Sequence, residues 1–171
     1  MVKTGKLKEG AVTVLIVLSV VLIDLVVDVV FLAWWLRRLR AEAVERMREI
    51  TKGETVYHVE DCNFFGRLSS GYRQWRGNGL LALTDGGLCF RQLLPRKELF
   101  IPLDAVTGIS RPRSFLGKTR MKDLVRVDFR DEEGKDDACA WLLPSTSWWI
   151  AALEALRAGE EPPAAPWKDR S

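Results

Sequence analysis

Polar and apolar positions divide this chain into two regimes. From Ala11 to Leu36 the sequence is almost unbroken apolar, with Lys3, Lys6 and Lys8 before it and Arg37, Arg38 and Arg40 after it. As an α-helix these 26 residues would extend about 39 Å, against roughly 30 Å for the hydrocarbon core of a bilayer. The pattern predicts a transmembrane helix over 11–36, preceded by a short N-terminal tail, residues 1–10. A cleaved signal peptide has an apolar stretch of about 7–15 residues and a small-residue cleavage site. Here the stretch is longer and ends in Ala33-Trp34-Trp35-Leu36-Arg37-Arg38, an interfacial aromatic pair followed by a stop-transfer flank.

From 37 to 52 the chain is rich in Ala, Glu, Arg, Leu and Met and free of Gly and Pro, which favours helix. Leu39, Ala43, Met47 and Ile50 recur at three- and four-residue steps, giving one modest apolar stripe. A juxtamembrane helix that simply connects is the expectation. A short parallel coiled coil is its competitor, with fewer than three heptads to support it.

After Gly53 the period changes. Short aliphatic and aromatic runs at 54–65, 79–84, 88–94, 98–103, 124–130 and 138–143 read as strands. Asp85-Gly86-Gly87 is a hairpin turn. Leu94-Pro95-Arg96-Lys97 and Asp131-Glu132-Glu133-Gly134-Lys135 break the later pairs. Alternation in 124–130 puts Val125, Val127 and Phe129 opposite Arg126, Asp128 and Arg130. Ser145 is placed as an N-cap, and Trp148, Trp149, Ala152, Leu153 and Leu156 give the following helix one apolar face. The expected class is α+β: a transmembrane helix, then a small antiparallel barrel or bent sheet over 53–158 closed by a C-terminal helix. Pro-rich residues 159–171 read as a disordered tail.

Gly79-Leu80-Leu81-Ala82-Leu83-Thr84-Asp85, then Leu88-Cys89-Phe90-Arg91, then the run Phe100-Ile101-Pro102-Leu103-Asp104-Ala105-Val106-Thr107-Gly108-Ile109 resembles bacterial pleckstrin-homology-like and GRAM-like domains. The likeness spans about Glu54 to Ala158. It implies a bent β-barrel capped by a C-terminal helix, and a binding or scaffolding role rather than catalysis. In related folds the first inter-strand loop holds phosphoinositide headgroups. This chain lacks a matching motif there, and no headgroup site is carried over.

Charge and candidate chemistry refine this picture. Asp24 lies near the midpoint of the apolar run and Asp28 one turn later on the same helical face. A central Asp costs about 2.5–3.5 kcal/mol on the translocon scale, while the run's eighteen Val, Leu, Ile and Phe residues return roughly 0.3–0.6 each, so insertion is near balance. Intramembrane carboxylates face protein or water rather than lipid. The two acids therefore mark either helix association or, as the alternative, a proton site in an accessory subunit of an ion-translocating complex. Arg37, Arg38, Arg40, Arg46 and Arg48 outnumber the three lysines on the other flank, placing the large domain in the cytoplasm of a cell-membrane protein.

Cys62, Cys89 and Cys139 lack metal-ligand spacing and read as buried hydrophobes in a reducing compartment. His58 is the single histidine, so no histidine cluster and no catalytic centre are expected, nor any cofactor, metal or nucleic-acid partner. Two basic groups are candidate contacts for anionic headgroups or a protein partner. One holds Arg111, Arg113, Lys118, Arg120 and Lys122 around an apolar tip, Phe115-Leu116. The other holds Arg67, Arg73 and Arg76 around Tyr72 and Trp75. With a net charge of only +3, a solubilising face is the equally weighted alternative. The expected partners are membrane lipids and, through the helix, a second copy or another transmembrane protein. The expected role is a non-catalytic scaffold or adaptor.

Overall fold

The computed structural model of the chain describes residues 3–71, 74–119 and 121–166. It divides into two compact units, Met1–Ala41 and Glu42–Ser171. Helix α1 is continuous over Lys3–Ile50, so the 1–10 tail is helical from Lys3 onward. It contains a stretch long and apolar enough to cross a membrane, none of which is buried in the protein.

The second unit begins with the last turns of α1. Strands β1 (Val56–Arg67), β2 (Gly77–Thr84), β3 (Gly87–Gln92) and β4 (Glu98–Pro102) follow. A single 3₁₀ turn leads into β5 (Val106–Ser110), a small hairpin of β6 (Ser114–Phe115) and β7 (Lys118–Thr119), then β8 (Val125–Arg130), β9 (Asp136–Leu142) and helix α2 (Thr146–Arg157). Seven strands form one antiparallel sheet in the order β4-β3-β2-β1-β9-β8-β5, with β6-β7 as a separate ribbon. The class is α+β, as the periodicity predicts. The barrel implied by the resemblance is corrected: β4 and β5 are both edges, and the sheet stays open. Strand β5 is absent from the six runs read from sequence because it is short, polar and interrupted by Gly108, where its pairing with β8 shifts register.

Alternation assigns each face. Cys62 and Phe64 of β1, Leu81 and Leu83 of β2, Leu88 and Phe90 of β3, Val125, Val127 and Phe129 of β8, and Cys139 and Trp141 of β9 share the inner face. Helix α2 covers it with Trp149, Ala152 and Leu153, all fully buried. Gly79 permits a close approach in this layer, since a Cβ there would lie 2.5 Å from both Phe90 Cε2 and Arg91 O. Ser145 occupies the N-cap position, but its hydroxyl donates to the Glu60 carboxylate rather than capping the helix. At the other end Gly159 (φ +76°) ends α2 in a Schellman motif, with Glu160 N bonded to Ala155 O and Gly159 N to Leu156 O.

The outer face is covered too, by two different pieces. Ala43 and Met47 of α1 pack on Leu80, Ala82 and Cys89 of β2 and β3. Arg46 Nε donates to Glu98 Oε1 at 2.8 Å, and Arg91 reaches the same oxygen at 2.8 Å. The stripe predicted on the juxtamembrane helix thus serves the domain's own sheet, leaving no seam at Ala43 and Met47 for a coiled coil. Further along, Phe65, Leu124, Ala138 and Ala140 are covered by Phe115 of the β6-β7 hairpin.

The described part of the C-terminal tail, 159–166, lies against α2. The Trp148 indole N–H lies 3.0 Å from Pro163 O and 2.9 Å from Ala164 O. Trp167 lies outside the described residues.

Trp149→Ala empties a fully enclosed site and should destabilise the domain by about 3–5 kcal/mol. Trp148→Ala, at a partly exposed position, should cost markedly less. Urea denaturation of the two variants checks this; equal costs would contradict the assigned helix face.

Candidate functional site

Two carboxylates, Glu60 and Asp137, sit inside the domain. Glu60 is in phase with Cys62 and Phe64 on the inner face and is almost fully buried. Trp149 Nε1 donates to its Oε2 at 2.8 Å, and Ser145 Oγ donates to its Oε1 at 2.9 Å. Glu60 therefore ties the middle of β1 to the start of α2. The alternation of β1 was the signal that marks it.

Asp137 is the second, in phase with Cys139 and Trp141. It accepts hydrogen bonds from Arg67 Nε, from Ser69 Oγ at 2.7 Å, and from Ser69 N at 2.9 Å. Burial pushes its carboxyl up, but the bonds from Ser69, Arg67 and Ala138 N outweigh it and hold the group below the usual carboxylate range. Arg67, whose guanidinium also lies 5.5 Å from the Phe129 ring, is thereby committed inside the fold.

The other candidate cations divide similarly. Arg76 donates to Phe65 O at 2.7 Å and Leu116 O at 3.2 Å, so it ties three segments together. Trp75 stacks into the core, its ring 4.7 Å from that of Phe64. Arg73, Tyr72 and Arg120 lie outside the described residues. Arg111 reaches Ser147 Oγ at 2.7 Å, and Arg113 pairs with Asp123 at 3.2 Å; that acid follows Lys122 directly in the chain. Lys118 lies 5.5 Å from the Phe65 ring centroid, and Lys122 is exposed.

The Phe115 half of the apolar tip is corrected. Leu116 (φ 50°) and Gly117 (φ 73°) form the two central residues of a tight hairpin with the positive dihedrals of a type I′ turn. The turn folds Phe115 inward, leaving it 5% exposed, with Leu116 half-buried beside it. Gly117 after a short apolar pair was the available signal. The exposed apolar residue in this region is Met121.

On α1, Asp24 and Asp28 are one turn apart and project from an uncovered helix. His58 packs against two indoles, its ring 4.7 Å from Trp148 and 5.8 Å from Trp149. All three cysteines are free and buried. Burial pushes the Cys62 and Cys139 thiols well up and Cys89 to about 11. They behave as small apolar residues, as the spacing predicts. Among the described residues no group of three or more His, Cys, Asp or Glu is arranged to hold a metal ion. Where the sheet fails to close, a cleft of about 530 Å³ opens between β4 and the β8-β9 turn, with Leu99 and Phe129 among its walls and Glu132 and Glu133 at its edge.

No protein-family model and no curated protein matches this chain. Among solved structures it is similar to the C-terminal domain of an unknown protein from Leishmania infantum, at 18% identity and a TM-score of 0.50, covering 69% of this chain and 98% of that one. At that identity the likeness is one of fold.

The linkage sign for Asp137 is fixed by its depressed pKa. Its contribution is present above the unfolded value of about 3.9 and is lost as pH falls through the lower folded value. Asp137→Asn should cost about 2–3 kcal/mol at neutral pH by leaving Arg67 unpaired, and should flatten the acid loss of stability. Urea midpoints measured from pH 6 down to pH 2 check this; identical pH slopes would refute it.

Proposed function

We propose that this is a non-catalytic single-pass membrane protein whose cytoplasmic domain acts as a scaffold or adaptor in a membrane-associated assembly. The observation that carries this reading is the uncovered apolar length of α1, which is long and apolar enough to cross a membrane and has none of that stretch buried in the protein. So large a continuous apolar surface requires lipid or another apolar partner around it. Retention of the segment, rather than its removal as a signal, is supported by the helix running unbroken past Leu36 to Ile50. The arginine excess after Leu36 supports the cytoplasmic side for the domain.

A pleckstrin-homology-like character is supported by the strand order. A β1–β4 meander continues across β1 into β9, β8 and β5, and α2 lies over the inner face. Such a domain presents surfaces rather than a reaction centre.

Helix association runs through Asp24 and Asp28. A carboxylate near the middle of a bilayer is stabilised by a polar partner on a facing helix, and interhelical hydrogen bonds there contribute about 0.6–2 kcal/mol. Because Ala43 and Met47 are buried against β2 and β3, the association face is confined to the apolar stretch.

Full-length protein should remain in the membrane pellet after alkaline carbonate. Replacing both acids, Asp24→Leu with Asp28→Leu, should ease insertion yet reduce recovery of crosslinked oligomer or partner. The Asn pair should retain association better than the Leu pair. Unchanged association in the double-Leu protein would remove the role of these carboxylates.

A further inference from the structure

We propose that the β3–β4 turn, residues 94–97, is the corner at which the domain rests on an anionic bilayer surface. This rests on the membrane-anchor reading above and adds which part of the domain meets the lipid.

The first observation is a tether. Arg96 Nη2 donates to Glu42 Oε2 at 2.5 Å, and Glu42 follows Leu36 by six residues. Six residues span about 9 Å as helix and about 20 Å fully extended. Covalent connectivity keeps Glu42 close to the end of the apolar stretch, and the packing of Leu93 with Ala43 and Met47 keeps the turn beside it. The headgroup layer on each side of a bilayer is itself about 5–8 Å deep.

The second observation is the chemistry of the turn. Leu93 packs inward with the Ala43 and Met47 cluster, whereas Leu94 next to it is 44% exposed. Arg96 and Lys97 follow, both exposed. Lys97 Nζ lies 5.0 Å from the centroid of the half-buried Trp75 ring, outside the carboxylate pairs that engage Arg46, Arg91 and Arg96. An exposed leucine followed closely by two cations, with an indole beside them, is the composition of an interfacial anchor.

The third observation is stiffness. Gln92 is fully buried, and its Nε2 donates to Leu94 O at 2.9 Å and to Arg76 O at 3.0 Å. Lys97 N donates to Pro95 O at 2.8 Å. The tip is presented by a pinned turn, so little ordering is needed on contact. The Arg96–Glu42 pair is solvent-exposed on both sides and worth little in itself, so the guanidinium can turn to a phosphate.

The test uses the full-length chain reconstituted in vesicles of phosphatidylcholine mixed with phosphatidylserine. A thiol-reactive fluorophore is placed by Leu94→Cys, by Met121→Cys and, in the apolar stretch, by Val21→Cys; the native thiols are buried. Lipids carrying a quencher at the headgroup or deep in the acyl chain report depth. The probe at 94 should be quenched from the headgroup level about twofold or more above the probe at 121. Arg96→Ser with Lys97→Ser, or vesicles of phosphatidylcholine alone, should reduce quenching at 94. Quenching at 121 equal to or above that at 94 would overturn the proposal while deep quenching at 21 leaves the anchor intact. Absence of deep quenching at 21 would overturn both.

Discussion

The packing of Ala43 and Met47 onto the outer face of β2 and β3 is the contact on which the rest of the arrangement depends. A two-layer domain covers one face of its sheet with α2 and leaves the other to water. Here Leu80, Ala82 and Cys89 make that second face apolar, and the end of α1 is what covers it. Burying a methionine contributes about 1.5–3 kcal/mol. Glu98 fixes the register of the contact by accepting from Arg46 and Arg91, and the Arg46 hydrogen bond holds its carboxyl below the usual range. The helix that carries the apolar stretch therefore also completes the domain.

Two buried carboxylates show how the inner layer is held in one arrangement. Glu60 joins β1 to α2 through Trp149 and Ser145, and Asp137 joins β9 to Arg67 and Ser69. Leaving either group unpaired in the interior costs more than the bonds contribute, so each acts mainly against misplacement. Arg76, spent on two backbone carbonyls, does the same for the β6-β7 hairpin. These roles withdraw several cations from the surface on which sequence placed them.

Strict alternation made β8 and the inner face legible in the sequence, and the 3–4 spacing of Trp149, Ala152 and Leu153 made α2 legible. The apolar run of α1 was equally plain. Less legible was everything decided by tertiary contact. The stripe Ala43-Met47 announced a buried face but not which surface covers it. Phe115-Leu116 looked like a tip because hydrophobicity alone does not reveal a type I′ turn that folds the pair back. Glu60 and Asp137 were hidden because an acid's burial depends on partners distant in sequence, 85 residues for Ser145 and Glu60. The open edge at β4 was invisible for the same reason, since closure is a property of strand pairing across the whole sheet.

We propose that one helix is held by lipid along its apolar length, and its last turns pack on the domain. Hydrogen–deuterium exchange of the full-length protein in vesicles tests it most directly. The account predicts slow amide exchange in the apolar stretch and again over residues 43–50, the latter matching the central strands β1 and β2. Fast exchange throughout 37–50, as in a free linker, would contradict it.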